Sequence, residues 1–434
     1  MSENDKDNKE YEFIKEQVIE KKRKKIKRFL FPTITNVGFA ILFGATAALT
    51  FVILEPKLSK YLQHEEEPIT PVCFPTEYPQ EPDVEDTNTP VVTPDTAEPT
   101  PVIVEQSIAA DIDDYLSMND DIRKAAHEFS GSIVEISSSF SVEDWFGKSV
   151  DKETSTTGVI VYNNTKELLI MVSLDRVKDA DSIKIVLSDD TMVEAILQDY
   201  VSEINLAVIA VAIKDIPEYY MSTLKPATLG ESYTVSVGSP ILALGNPNGY
   251  SNSMEIGIVT SKGSIASITD DNLELFNTSI TDNENSDGII VNMKGKVIGL
   301  ITRTLKEENN EEINTVIGIS SLKSILEVMG NKGPHLYFGV KMQDMTDTAK
   351  TEYDIGNGIY VNDVLSDSPA FDAGIQKGDI ILEIDQLPIL DSGNFNNVIS
   401  EYQPGDKLDV KIMRINGSKT SEINLYVTLQ DKAK

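Results

Sequence analysis

Between Ser132 and Val211 the chain repeats one kind of segment. Ser132–Ile136, Gly158–Tyr162, Leu168–Val172, Ile183–Leu187, Met192–Leu197 and Leu206–Val211 are all short, apolar and rich in β-branched residues. Such runs are too short for stable helices and match the usual strand length. Turn pairs, Asn163-Asn164 and Asp189-Asp190 among them, stand between the runs. Many short strands at close spacing fold as an all-β barrel or sandwich. The spacing of Ile122, Ala125, Ala126 and Phe129 predicts an amphipathic helix over Met118–Phe129, ahead of the strands. A second helix, Ser320–Met329, closes the region before a break at Gly330–Pro334. Residues 334–431 then form a unit of about 100 residues, a normal domain size, mixing strands with a helix near Asn394–Tyr402.

Charge divides the chain differently. Residues 1–28 carry +3, which leaves −35 for the rest of a chain whose net charge is −32. The tail ends in an almost solid basic block, Lys21–Arg28, and Phe29–Leu54 then holds no charged residue. About 20 apolar residues span a hydrocarbon core, so 29–55 is expected to be one transmembrane helix started at Pro32. The basic block predicts a cytoplasmic N-terminus and extracytoplasmic main domains in the cell membrane. A cleaved signal peptide is the rival, since Ala45-Thr46-Ala47 mimics a cleavage site. The apolar run continues past it to Leu54, which favours an uncleaved anchor.

Nine of the 19 prolines lie between Pro68 and Pro101, mixed with Glu, Asp and Thr. That composition predicts a disordered, extended linker over 56–115, with Cys73 and His64 exposed within it. A single cysteine excludes an intramolecular disulfide framework and a cysteine-based zinc cluster. The acidic balance argues against nucleic acid as a partner. No metal or cofactor motif stands out. Asp189-Asp190 and Asp270-Asp271 read as turn positions without calcium-ligand spacing, and Glu307–Glu312 as a solvated loop. Trp145-Phe146 reads as a contact patch or a packing anchor. Only His64, His127 and His335 exist, so any mechanism that needs an imidazole must use one of them.

The order of motifs in residues 130–330 resembles the HtrA/Deg family of trypsin-like serine proteases, which implies a protease-fold domain over 116–331. Ser130–Ile136, Thr156–Ile160, Asp181–Asp189, Leu229–Ser232, Val237–Gly249, Gly257–Gly263, Asn292–Gly299 and Ile317–Leu326 carry the resemblance, in order, over about half the chain. Residues 334–431 resemble a PDZ domain through Tyr337-Phe-Gly-Val340 and Asp367-Ser-Pro-Ala-Phe-Asp-Ala-Gly-Ile-Gln-Lys-Gly-Asp-Ile-Ile381. The resemblance implies a mainly β protein: two six-stranded barrels, then an α+β PDZ domain. It implies that Tyr337, Phe338, Gly339 and Val340 hold the C-terminal carboxylate of a peptide added to a sheet edge. It also implies a homo-oligomer, a trimer in many members.

At the catalytic positions the resemblance breaks down. Glu284-Asn-Ser-Asp-Gly288 takes the place of Gly-Asn-Ser-Gly-Gly, so Ser286 is the nucleophile position and Glu284 the altered oxyanion-hole position. Val172-Ser-Leu-Asp-Arg-Val177 takes the place of the histidine motif. A gapless register puts Arg176 at the histidine, and a one-residue slip puts Asp175 there. Neither serves as a base, since arginine stays protonated and an ordinary aspartate is too weak. Asn205 stands where the orienting aspartate would precede Leu-Ala-Val. His127 and His335 lie at no catalytic position. Loss of one triad member costs about four to six orders of magnitude. The resemblance therefore implies a pseudoprotease: a membrane-anchored binder of peptides or unfolded termini acting as scaffold, chaperone-like or regulatory subunit. Two alternatives stay open. One is a serine endopeptidase of envelope quality control that uses Ser286 with a non-standard base. The other is a sensor that passes peptide signals through the single helix.

Overall fold

The computed structural model describes residues 70–75, 111–143, 147–306, 313–417 and 419–432. The expected tail, the apolar run 29–55, His64, Trp145, Phe146 and the 307–312 loop lie outside the described residues. Among the described residues no helix is long and apolar enough to cross a membrane.

Helix α1, Ile112–Glu128, starts six residues earlier than its apolar spacing predicts. Asp111 explains the difference, because its carboxylate accepts from the N–H groups of Asp113 and Asp114 and Asp114 returns a bond to the Asp111 N–H. This capping box satisfies backbone donors that the apolar pattern says nothing about. Ile122 and Ala126 pack on the core, and Phe129 just beyond the helix is buried in it.

Six strands follow: β1 Ile133–Glu143, β2 Ser149–Asn163, β3 Glu167–Ser173, β4 Ser182–Val186, β5 Met192–Val201 and β6 Leu206–Ala212. They close into a barrel in the order β1-β2-β3-β6-β5-β4. A second six, β7 Pro240–Asn246, β8 Ser253–Ile268, β9 Asp271–Thr281, β10 Asp287–Asn292, β11 Val297–Thr302 and β12 Ile313–Gly318, closes in the order β10-β11-β12-β9-β8-β7. Central strands such as β3 and β6 are buried on both faces. One face fills its own barrel with Ile160, Ile170, Ile185 and Ile209. The other packs Met171 and Val208 against Leu242, Leu244 and Ile289 of the second barrel. Continuous apolar runs, rather than alternating ones, record that double burial.

Helix α2, Ile319–Gly330, closes the barrels and buries Leu322, Leu326 and Met329. Within the expected linker, residues 70–75 dock on this helix. Asn331 accepts from the Val72 N–H at 2.9 Å and donates to its carbonyl at 3.0 Å, and Glu327 accepts from the Phe74 N–H. Val72 is buried and Phe74 stacks edge-on against Tyr162. The linker expected to be disordered over 56–115 is therefore ordered at this point and again from Ile112. The reason is a pair of apolar side chains with backbone partners, set inside an otherwise polar stretch.

The C-terminal domain holds β13 Leu336–Tyr337, β14 Val340–Asp344, α3 Asp347–Glu352, β15 Ile359–Val364, α4 Pro369–Ala373, β16 Ile380–Ile384, β17 Leu387–Pro388, α5 Ser392–Ser400, β18 Lys407–Asn416, β19 Lys419–Thr428 and β20 Gln430–Asp431. Its main sheet runs β14-β15-β16-β18-β19 around a core of Phe338, Phe395, Ile381 and Val410. Helix α4 begins as the sequence signature demands, with Ser368 capping the Phe371 N–H and Pro369 at the first turn.

Candidate functional site

Strand register assembles the first site. Ser173 on β3 faces Leu206 on β6, so the turn after β3 and the turn before β6 lie side by side. Arg176 ends a short 3₁₀ turn, Leu174–Arg176, and Asn205 sits at a left-handed φ of 55°. On the second barrel, Asp287 pairs with Asn246 and Gly288 with Gly245, which brings Ser286 beside Pro247. Gly288 has φ 120°, and a Cβ there would meet the Leu244 carbonyl at 2.4 Å. Glycine is therefore required at that position.

The predicted residues do meet, but in other pairings than a relay needs. The Asn205 amide turns to Asp175, accepting from its N–H at 2.9 Å and donating to its carboxylate at 3.1 Å. Arg176 reaches across to Asp287, with Nε 3.5 Å from Oδ2, an ion pair rather than a hydrogen bond. Thr156 Oγ1 donates to the same oxygen at 2.9 Å. Burial pushes the Asp287 carboxyl up to about 6, against the opposing pull of the Thr156 bond and the Arg176 charge.

Ser286 is buried, and its hydroxyl is committed. Oγ donates to the Pro247 carbonyl at 2.8 Å and accepts from the Asn283 N–H at 2.9 Å. An attacking serine needs its proton on a base, and here the acceptor is a main-chain carbonyl, which cannot take it up. Glu284 is exposed, and its carbonyl accepts from the Arg303 guanidinium. His127 is exposed on α1. His335 pairs with Asp199 at 2.8 Å.

The second site is the loop Tyr337–Val340. Gly339 has φ 93°, and a Cβ there would strike the Ser368 side chain at 2.1 Å. This conformation turns three successive N–H groups to one point. The N–H groups of Phe338, Gly339 and Val340 all donate, at 2.8–2.9 Å, to the carboxylate of Asp270. Tyr337 contributes no N–H to that carboxylate. Beside the loop lies a cavity of about 300 Å³, lined by Phe338, Phe395 and Ile399 and by Ile325 and Val328 of α2.

Sequence reasoning named Ser286, Arg176, Asn205, Glu284 and the loop. It missed Thr156 as a partner of Asp287, and it missed Asp270. The Asp270-Asp271 pair reads in sequence as a turn, and Asp270 is one, with φ 63°. Its partners are N–H donors, which suit an anion's recognition and not a cation's coordination. No local pattern marks a contact made across 68 residues of sequence.

Residues 156–300 match the family described as "Trypsin-like peptidase domain", and residues 337–427 match "PDZ domain". The chain is 28% identical over 284 residues to a "Probable periplasmic serine endoprotease DegP-like" of Pseudomonas fulva, covering 64% of this chain and 57% of that protein. It is 27% identical over 315 residues to "Serine protease Do-like HtrA" of Bacillus subtilis, covering 68% and 67%. It thus spans between about half and two thirds of the length of these relatives. Among solved structures, "HtrA-type protease AlgW with decapeptide" superposes with a TM-score of 0.51 at 23% identity, over 72% of this chain and 99% of that one. At that identity the likeness speaks for the fold alone.

Proposed function

We propose that this chain, an HtrA-like serine protease homologue with a PDZ domain, binds peptides and does not hydrolyse them. The Ser286 hydroxyl carries the reading. It is bonded to the Pro247 carbonyl, while Arg176, at the histidine position, is bound to Asp287. Acyl transfer needs a base to accept the serine proton and N–H donors facing the developing oxyanion. This network supplies a permanent cation and a carboxylate instead. In this reading the PDZ domain captures free C-termini of peptides or unfolded chains at the Tyr337–Val340 loop, and the barrels serve as scaffold or regulatory subunit. The basic block and the uncharged run 29–54 support a single-pass anchor with the main domains outside the cytoplasm. The family resemblance supports a homo-oligomer, a trimer.

The second reading is a serine endopeptidase that uses Ser286 with a rearranged base. The names of the relatives favour it, since they are described as serine proteases or endoproteases. A fluorophosphonate probe decides between the two. No labelling of the full-length chain, against an active trypsin control, is the expected outcome. Labelling of Ser286 that is lost in Ser286→Ala overturns the binding-only reading.

A further inference from the structure

The β8–β9 hairpin meets the C-terminal domain in the way an added peptide would. Its turn is Thr269-Asp270, closed by the pair Ile268 and Asp271. The Asp270 carboxylate fills the nest of N–H groups, and the Asp270 N–H donates to the Val340 carbonyl at 2.8 Å. One turn back, Ser267 Oγ donates to the Met342 carbonyl at 2.8 Å. These contacts run along β14, which ends the main sheet and pairs with β15 on its other side. Across the groove, Asn396 of α5 donates to the Asp271 carboxylate at 2.6 Å.

We propose that Asp270 is an internal ligand of the PDZ carboxylate nest, so that the barrel domain holds the peptide groove shut until a free C-terminal carboxylate displaces it. The inference rests on the peptide-binding reading above and adds its regulation.

Three further observations support it. First, aspartate is an ordinary residue for a turn at φ 63°, but the Asp270 carboxylate is turned to the N–H groups of Phe338, Gly339 and Val340 in the other domain. Second, the hairpin is held in place independently. Glu203 accepts from the Thr269 N–H at 3.2 Å and its hydroxyl at 2.8 Å, and also from Lys432 of the C-terminal domain at 2.6 Å. Third, the adjoining cavity, walled by Phe338, Phe395 and Ile399, has room for an apolar side chain, while the carboxylate position beside it is taken. An internal ligand acts at an effective concentration in the millimolar range. A free peptide therefore sees its affinity reduced by the fraction of molecules that are open.

The test uses the full-length chain, wild type and Asp270→Gly. Glycine keeps the turn and removes only the carboxylate. The probe is a pool of fluorescein-labelled decapeptides ending in Val, Leu or Phe with free carboxylates, read by anisotropy beside the same pool amidated. Expected is a gain of about ten-fold or more in affinity for the free-acid pool in Asp270→Gly, with no gain for the amidated pool. Equal affinity of wild type and variant overturns the proposal. If neither protein binds the free-acid pool, the peptide-capture reading fails by itself. The internal contact is then judged by hydrogen exchange at the Phe338, Gly339 and Val340 amides. Faster exchange in the variant supports it, and unchanged exchange overturns it. Should Asp270→Gly not fold, Asp270→Asn replaces it in both measurements.

Discussion

Asp287 and Asp270 are enclosed carboxylates that burial pushes to the same value, about 6, in surroundings built on opposite plans. Asp287 stands where hydrolytic chemistry would take place. It is held by side chains, the Arg176 guanidinium and the Thr156 hydroxyl. Asp270 stands where a ligand would bind and is held by main chain, three N–H groups of one loop. Side-chain partners change with single substitutions, and here they form an ion pair, Arg176 with Asp287. A main-chain nest is set by backbone conformation, by Gly339 above all, and it keeps its chemistry whatever carboxylate arrives. One site is defined by its side chains, and the other by its backbone.

The sharpest test of that difference is made at the first site. Arg176→His together with Asn205→Asp restores the triad residue types but leaves Ser286 Oγ on Pro247 and Asp287 beside it. Expected is no turnover of unfolded casein above the wild-type background. Recovery of even one hundredth of trypsin's rate breaks the comparison, because the site would then lack only two side chains. Next comes the ion pair itself. Arg176→Ala strands a buried carboxylate and is expected to lower stability by about 2–4 kcal/mol, read by urea unfolding. Arg176→Met with Asp287→Asn removes both charges and is expected to regain most of that loss.

A smaller effect is the pH dependence. Asp287 and Asp270 ionise near 4 in an unfolded chain and near 6 in the fold. Each therefore favours the folded state fully below about 4, and that contribution is lost as pH rises through about 6. The charges facing Asp287 are Arg176 and Asp175, and those facing Asp270 include Lys432 and Asp271. Asp271, also raised to about 6, acts in the same direction. The melting temperature is expected to fall by roughly 3–6 °C between pH 5 and 7.5. Asp287→Asn should flatten part of that slope, and a rise over the same interval contradicts the assignment. The smallest effect concerns neither site. Asn331→Ala, which removes two bonds to Val72, is expected to cost about 1 kcal/mol, measured by the same unfolding assay.

The strands of the first barrel were legible because each short apolar run carries its own strand signal, the second barrel came only from the resemblance, and Asp367–Ile381 carries its turn, cap and strand within 15 residues. Ser286, Arg176 and Asn205 were named only through the family resemblance, since without it Asn285-Ser-Asp-Gly288 reads as a plain surface turn. Their pairings were not legible. The Asn205–Asp175 bond and the Arg176–Asp287 pair depend on side-chain directions in adjoining turns, for which the sequence has no periodic signal. The occupant of the nest was hidden for a related reason: a hairpin turn looks the same in sequence whether it faces water or a neighbouring domain. The docked segment 70–75 was masked by its proline-rich setting, since composition averages over Val72 and Phe74.

That docked segment also changes the mechanics of the chain. Val72 and Phe74 are clamped to Asn331 and Glu327 at the C-terminal end of α2. A pull applied at residue 70 is delivered to Asn331 and Glu327 near the end of α2. Strand β1, where the barrel begins in sequence, would feel that load only after the clamp has let go.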